Sequence, residues 1–261
     1  MVAMAVVGSF AYVIIAYVAL PFGWKHYEHQ RGLDGISMLT QTKQGIHGDP
    51  INVGLVGTDA DVLCAMHSAG WEPADPVTLR SSIKIIGSVV LDRPYPAAPV
   101  SDLFLLGRKE DLAFEKSDGK SADRRHHVRL WEVLPKGDEG RPVWLGAVTY
   151  DRGVGISHYT GQVTHHIAAD IDAERDGLTN NLKSAHVVTT DYTVSGIGLI
   201  FNGRNGGGDR YFTDGEVKVS RLVSGCDEKA TSTTDLEGPT LIEMRNAAWK
   251  ALAGVRWFRE H

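Results

Sequence analysis

The first 24 residues carry no charged side chain, and this feature constrains the architecture of the chain more than any other. The stretch VVGSFAYVIIAYVALPF (Val6–Phe22), with the residues before it, is long enough to cross the hydrocarbon of a bilayer. No basic side chain precedes it, so it does not resemble a cleaved secretory signal. A buried core helix of this length would carry a polar stripe. The sequence therefore predicts one transmembrane helix over residues 1–24.

Basic side chains follow the apolar segment at Lys25, Arg31 and Lys43. Because basic flanks stay on the cytoplasmic side of a membrane, they predict a single-pass protein of the cell membrane with its large domain in the cytoplasm. Residues 25–48 alternate polar and glycine-rich pieces, which is typical of a juxtamembrane linker. The expected partners are the lipid bilayer and, in one interpretation, other membrane proteins.

The rest of the 261-residue chain has the composition of a globular domain. Hydrophobic residues make up 43% and charged residues 23%, so a substantial core can be buried. The net charge of −5 excludes a nucleic-acid surface, because phosphate binding needs clustered, uncompensated Lys and Arg. Cys64 and Cys226 form no CxxC motif, which excludes a disulfide framework and a thiolate zinc site and leaves the redox compartment undetermined.

Strand-like segments dominate the middle of the chain. His126–Leu134 and Val143–Asp151 are alternating or aliphatic runs separated by a turn, and such neighbours usually pair. Asp170–His186 begins with acids and places apolar residues at helical spacing. After the transmembrane helix we therefore expect an α+β domain over residues 49–224, with a mostly antiparallel sheet and packing helices. A C-terminal extension with a helix follows over residues 225–261.

Histidine crowding is the main chemical signal, since five of the eleven histidines lie between positions 126 and 166. Side chains of a strand alternate between its two faces, so in RRHHVRLW His127 shares a face with Arg129 while His126 points the other way. In TGQVTHHIAAD the same alternation separates His165 from His166. Only one histidine of each pair can therefore point into a given site.

Three interpretations of these histidines remain open. One histidine from each pair and a carboxylate such as Asp170 or Asp151 could hold a divalent metal, for which we select His127, His166 and Asp170. The same imidazoles could instead act as general acid and base without a metal, with Arg129 contacting an anion or a transition state. In the third interpretation they are structural. The catalytic candidates are His126, His127, Arg129, His165, His166 and Asp170.

A glycine-rich loop, RNGGGDR, has an arginine at each end, Arg204 and Arg210. Backbone amides and guanidinium groups in such a loop can contact an anion, so both arginines are predicted to bind a cofactor or substrate anion. The loop is not a P-loop, because no Gly-Lys-Ser/Thr follows and the next residues, YFTDGEV, have strand and turn character.

Several long strings together resemble the LssY C-terminal domain family. They are GDPINVGLVGT, GWEPADPVTLRSS, DRPYPAAPVSDLFLLGRKEDLAFE, RRHHVRLW, TYDRGVGISHYTGQVTHHIAADIDAERD and GRNGGGDRYFTDG, and they extend from about Gly48 to about Phe212. The apolar segment with LPFGWKHYEHQ also resembles the membrane-exit sequence that commonly precedes this domain.

The resemblance implies a bacterial envelope membrane but no established reaction. In this family the domain is often attached to multi-pass membrane regions, including regions similar to lipid-phosphate phosphatases and DedA-type transporters. The present chain has one apolar segment, so none of those activities carries over. The matching strings RHH, THH and DIDAERD are where the resemblance and the histidine pattern both place a site.

Two functions follow as hypotheses of different classes. In the first, the chain is a membrane-anchored hydrolase that acts on an anionic or lipid-linked envelope substrate. In the second, it is a non-catalytic accessory or interaction subunit of a bacterial membrane complex. The second predicts that the same polar residues are buried and that both nitrogens of each imidazole are paired.

Overall fold

The computed structural model describes residues 2–19, 36–74, 102–119, 124–137, 139–159, 161, 163–194 and 202–238, together with residues 240, 243, 244 and 247. The chain divides into two compact units, Met1–Ile36 and Ser37–His261. Helix α1 (Val2–Ile14) leads into a π-helical turn (Ile15–Ala19). Across the described residues, no helix is long and apolar enough to cross a membrane, so the transmembrane helix predicted over residues 1–24 is not supported.

The larger unit contains helices α2 (Asp59–Ser68) and α3 (Ile171–Ser184) and most of its structure is in strands. The strands are β1 (Leu39–Gln41), β2 (His47–Pro50), β3 (Val53–Val56), β4 (Glu72–Pro73), β5 (Phe104–Leu105), β6 (Arg108–Lys109), β7 (Leu112–Ser117), β8 (Arg125–Leu134), β9 (Val143–Ile156), β10 (Val163–Ile167), β11 (Val188–Val194), β12 (Gly203–Arg204), β13 (Arg210–Tyr211), β14 (Val217–Leu222) and β15 (Thr234–Leu236).

One mixed sheet organises this unit. In the part of the chain that the structure describes, it has nine strands in the order β15-β11-β14-β3-β9-β8-β7-β4, and β10 pairs with the far end of β9. Most neighbours are antiparallel, whereas β3–β14 and β11–β15 are parallel. The same unit also contains a separate small sheet (β2-β1-β5-β6) and the hairpin β12–β13. The predicted α+β class, the mostly antiparallel sheet and the β8–β9 pairing are confirmed.

The two faces of the β7-β8-β9 region differ in chemistry because side chains alternate along each strand. On one face Phe114, Val128, Leu130 and Val148 are almost fully buried with apolar residues of α2 and α3. The residues between them on the strands point to the opposite face, and many are ionisable. The core therefore lies under the helices, and the other face is free to hold polar groups.

Local sequence signals fix the two packing helices. Thr58 and Asp61 form a capping box at the start of α2, in which each side chain accepts a hydrogen bond from the other residue's backbone N–H. Asp170 caps α3 by accepting from the Ala173 amide at 3.1 Å. The first carboxylate of DIDAERD therefore has a structural role at the helix start.

A disulfide joins Cys64 of α2 to Cys226, across 162 residues of sequence and with a Cα–Cα distance of 5.0 Å. The expectation that these cysteines form no disulfide framework is therefore wrong, because a bridge between distant segments needs no local CxxC motif. The bridge ties the loop after β14 to α2, where the Asp61 carboxylate also accepts a hydrogen bond from the Gly225 amide at 2.7 Å. Two independent contacts thus fix the start of the C-terminal segment.

Candidate functional site

The polar face of the sheet collects ionisable side chains from three adjacent strands. The β8 register places His127 opposite Glu115 of β7 on one side and opposite Thr149 of β9 on the other. Arg125, two residues earlier on the same face, is opposite Asp151. Once these strands are paired, the alternation of side chains along each strand places this cluster on one face of the sheet.

Asp151 lies between two imidazoles. Its Oδ2 is 3.0 Å from His127 Nδ1 and 3.2 Å from His165 Nδ1. His165 Nε2 accepts from the Arg125 guanidinium at 3.0 Å, and His127 Nε2 is 3.4 Å from Glu115. The two rings stand edge to face with centroids 6.0 Å apart. Every nitrogen of both rings thus lies within 3.4 Å of a charged side chain.

Their shared surroundings shift the pKa values of the two imidazoles in opposite directions. Burial disfavours the charged form of His127, but the attraction of Asp151 and hydrogen bonds to Asp151 and Glu115 outweigh it and raise the pKa. Burial, reinforced by the nearby Arg125 charge, lowers the pKa of His165 to about 4. Burial also opposes the charge on Asp151, yet His127 and the other cations hold its pKa at about 2. The surroundings therefore favour the charged form of His127 and the neutral form of His165.

A second buried ion pair lies beside this cluster. Arg129 Nη1 is 3.3 Å from Asp49 Oδ2, and the amide of Asn205 donates to Asp49 Oδ1 at 3.3 Å. Burial raises the pKa of Asp49 against the opposing influence of Arg129 and Asn205. Arg129 lies on β8, Asp49 on β2 and Asn205 in the glycine-rich loop. The two contacts of Asp49 therefore connect the large sheet to β2 and to this loop.

A cavity of about 330 Å³ lies between the polar face, β1–β2 and the glycine-rich loop. His127, Asp151 and His165 form part of its wall, and Arg129 and Asp49 form another. The Thr149 hydroxyl is 1% exposed, lines this cavity and has no hydrogen-bond partner among the described residues. The remaining lining residues are Thr42, Lys43, Gln44, Ile46, Gly48, Asp102, Leu103, Ser157, Thr164, Ile167, Asn205, Gly206 and Gly207.

The second member of each histidine pair has a carboxylate partner elsewhere. His126 Nδ1 is 2.6 Å from Glu174 of α3 and packs against the Tyr150 ring, on the helix face of the sheet. His166 Nδ1 is 2.8 Å from Asp209 at the end of the glycine-rich loop. The expectation that each pair divides between two environments agrees with these contacts.

Of the predicted site residues, the structure brings His127, Arg129 and His165 to one cavity. His126, His166 and Asp170 lie outside its lining. The three residues selected for a metal are therefore separated, because each has its own partner: Asp151 for His127, Asp209 for His166 and the α3 amide for Asp170. Among the described residues, no group of three or more His, Cys, Asp or Glu is arranged to hold a metal ion.

The predicted anion-binding arginines, Arg204 and Arg210, are direct cross-strand partners in the hairpin β12–β13. Between them the Asn205 side chain accepts from the amides of Gly207 and Asp209, which closes the loop. Both arginines line an open cleft with Tyr159, Tyr211 and Phe212, and Ile46 lines both this cleft and the cavity.

Sequence reasoning missed several residues of the cavity and of the ion-pair cluster beside it. Arg125 and Glu115 share the alternation that identified His127, so the strand register contains the signal that finds them. Asp49 and Asn205 are in contact across 156 residues of sequence, and no local pattern marks either. Thr149 is an ordinary strand residue whose hydroxyl becomes distinctive only when its surroundings are known.

Comparison with known families gives one finding. A family model described as LssY C-terminus matches residues 33–217, which includes the cavity, both histidine pairs and the glycine-rich loop. Neither a curated protein nor a solved structure matches the chain. The match covers well over half of the chain, and we conclude that the chain belongs to the LssY C-terminus family.

Proposed function

We propose that the domain is a membrane-anchored, non-catalytic accessory module that binds a small, uncharged, hydroxyl-rich ligand in the 330 Å³ cavity. The observation that carries this proposal is the Thr149 hydroxyl, which is buried against the cavity without a hydrogen-bond partner among the described residues. A buried hydroxyl in that position costs stability, and a ligand that hydrogen-bonds to it recovers the loss.

The charges around the cavity support an uncharged ligand. Lys43 and Arg129 line the cavity with His127, whose pKa is raised, and three acids line it as well, so groups of both signs face the cavity. A charged ligand would disturb this balance and leave a buried group unpaired, which is costly. A ligand with several hydroxyls can accept from cations and donate to carboxylates without adding charge. The three acids are Asp49, Asp102 and Asp151.

The charged neighbours of the imidazoles favour binding over catalysis. Every nitrogen of His127 and His165 lies within 3.4 Å of a charged side chain, although His127 Nε2 and His165 Nδ1 form no hydrogen bond among the described residues. These ion pairs hold both rings in place before a ligand arrives, which lowers the entropic cost of binding.

A thermal-shift titration of the full chain in a non-ionic detergent tests the proposal, with glucose and N-acetylglucosamine as probes. We expect at least one sugar to raise Tm, because a ligand that binds only the folded state stabilises it. Thr149→Val should weaken this response. Thr179→Val is the matched control, because its buried hydroxyl donates to Arg175 O at 2.9 Å, away from the cavity lining. If neither sugar raises Tm, or if both variants respond alike, the proposal is wrong.

Hydrolysis is the second candidate, and the opposed pKa shifts of His127 and His165 favour it. Environments that separate the pKa values of two neighbouring groups are typical of a general acid and a general base. For His165 to accept a proton through Nε2, the substrate would have to displace Arg125. The test is turnover of p-nitrophenyl phosphate and p-nitrophenyl acetate by the full chain. A hydrolase loses this turnover in His165→Gln, whereas the binding proposal predicts none above buffer.

Membrane anchoring through residues 1–24 is part of the proposal and rests on their lack of charge.

Two features bear on which side of the membrane the domain occupies. The basic flank favours the cytoplasm, whereas the Cys64–Cys226 disulfide favours an oxidising compartment. We give the disulfide more weight, because only three basic residues carry the flank argument. Labelling of intact cells with a membrane-impermeant maleimide after mild reduction should modify these cysteines. Labelling without any reductant after lysis would instead place the domain in the cytoplasm.

A further inference from the structure

We propose that the cleft formed by Arg204, Arg210 and the adjacent aromatic side chains binds a phosphate group. The cleft adjoins the cavity described above, since Ile46 lines both, but the inference does not depend on the function proposed for that cavity. The two arginines are directly opposite each other across the hairpin β12–β13. Like charges in this position repel one another and destabilise a strand pair, unless an anion lies between them.

No acid compensates this pair of charges within the described part of the chain. Neither Arg204 nor Arg210 forms an ion pair there, and the Arg204 guanidinium donates instead to the Gly208 carbonyl at 2.7 Å. Seven of the other eight described arginines lie within ion-pair distance of a carboxylate, the exception being the exposed Arg124. Those with such partners are Arg108, Arg125, Arg129, Arg141, Arg152, Arg175 and Arg221.

The surroundings of the cleft fit a phosphate that carries an apolar or aromatic group. Among its described lining residues, the cleft has His47 and the two arginines but no acid, in a chain whose net charge is −5. The Tyr159 and Phe212 side chains are 51% and 46% exposed and stand at its edge. Guanidinium groups form bidentate, charge-assisted hydrogen bonds to phosphate oxygens, and exposed rings can cover an attached apolar group.

Gly203 keeps the hairpin in the required shape. A Cβ on this residue would lie 2.3 Å from the Tyr211 ring, so only glycine allows the buried Tyr211 side chain to cross the opposite strand. This crossing fixes Tyr211 against the hairpin and leaves Arg204 and Arg210 on the exposed side. The charged pair is therefore presented by a rigid element rather than by a free loop.

Isothermal titration of the full chain in a non-ionic detergent and a chloride buffer tests this site, with inorganic phosphate as the probe. We expect binding whose Kd weakens about tenfold in Arg210→Gln, the change expected from loss of one charge-assisted hydrogen bond. Arg108→Gln is the control, because it removes the same charge from an exposed arginine paired with Asp111. Its Kd should equal that of the unmodified chain.

Competition with vesicles identifies the source of the phosphate. If phosphatidylglycerol vesicles displace inorganic phosphate and phosphatidylcholine vesicles do not, the cleft takes a lipid headgroup. If phosphate binds and neither vesicle displaces it, the cleft takes a soluble phosphate compound. Binding to neither phosphate nor phosphatidylglycerol overturns the proposal, as does an equal loss in Arg210→Gln and Arg108→Gln. Because Arg210 is exposed and has no ion pair among the described residues, Arg210→Gln should fold as the unmodified chain does.

Discussion

The two faces of strands β8 and β9 carry side chains of opposite chemistry on the same backbone. The face under the helices buries apolar side chains such as Val128, Leu130 and Val148, which are 0% exposed. The other face buries His127 and Asp151, which are 2% exposed and held in a lattice of opposite charges. Burial alone therefore does not distinguish a core from a site in this protein.

The difference between the faces is energetic. Apolar burial stabilises the fold directly, by about 25 cal/mol for each Å² removed from water. Buried ion pairs contribute little net stability, since the cost of desolvation offsets their attraction, and breaking one is expensive. Ligand binding in the cavity, as proposed above, would give this lattice a role other than stability.

Asp151→Asn should produce the largest loss of stability on the polar face. The change keeps the volume but removes the charge that balances His127 and Arg125, so we expect a loss of about 4 kcal/mol in the free energy of unfolding. Urea denaturation followed by circular dichroism measures it. Asp111→Asn is the control, because this exposed acid also accepts from an arginine and should cost below about 1 kcal/mol. Equal losses of stability in the two variants would show that the buried ion pairs matter no more to the fold than an exposed one.

Leu130→Ala on the apolar face should cost about 3 kcal/mol through lost burial and the cavity left behind. No titratable group is altered, so the loss should be the same at pH 5 and pH 8, as roughly expected for a purely apolar change. The control is Leu63→Ala, because this side chain is 41% exposed. A loss in Leu130→Ala that varies with pH would show that the two faces are coupled.

The pH dependence of stability should come in part from His165. Its pKa of about 4 in the folded state lies below the ordinary value of 6.5, so the unfolded chain takes up a proton first as the pH falls. Stability should therefore fall between pH 6.5 and pH 4, by about 2 kcal/mol once partial exposure is allowed for. His165→Gln should flatten the curve in this window. An unchanged curve would mean that His165 titrates normally.

Among the changes at ionisable residues, His126→Gln should have the smallest effect. This histidine lies on the helix face, where its side chain is 31% exposed beside Glu174, so we expect a loss of at most about 1 kcal/mol. His127→Gln is the matched variant next to it and should cost about 3 kcal/mol, because it leaves Asp151 and Glu115 without their shared cation. Similar losses in the two variants would contradict the division of the pair between faces.

The sequence predicts that the two histidines of each pair point to opposite faces of their strand. It does not predict which carboxylate completes the site. Alternation in β8 separates His126 from His127, and it separates His165 from His166 in β10. The choice between Asp151 and Asp170 as the carboxylate depends on the length of β9. This strand continues past Asp151 to Ile156 and pairs with β10, which brings His165 to Asp151. Asp170 instead serves the helix start, a role its position already suggests.

Contacts between distant segments were not predictable. Asp49 meets Asn205, and Cys64 meets Cys226, only because the sheet brings β2, α2 and the two C-terminal loops together. A single sequence records local periodicity, whereas these pairings depend on the tertiary arrangement of the whole domain. The cavity shares this origin, since its walls come from β1–β2, the sheet and the glycine-rich loop.

The central claim is that the polar cavity is maintained for a ligand rather than for stability. The most direct test compares the free energies of unfolding of Thr149→Val and Thr179→Val, two isosteric changes at buried threonines. Thr179 donates to Arg175 O, so its loss should cost about 1 kcal/mol, whereas Thr149→Val should leave stability unchanged or raise it. A loss in Thr149→Val as large as that in Thr179→Val would show that the Thr149 hydroxyl serves the fold, and would contradict the account.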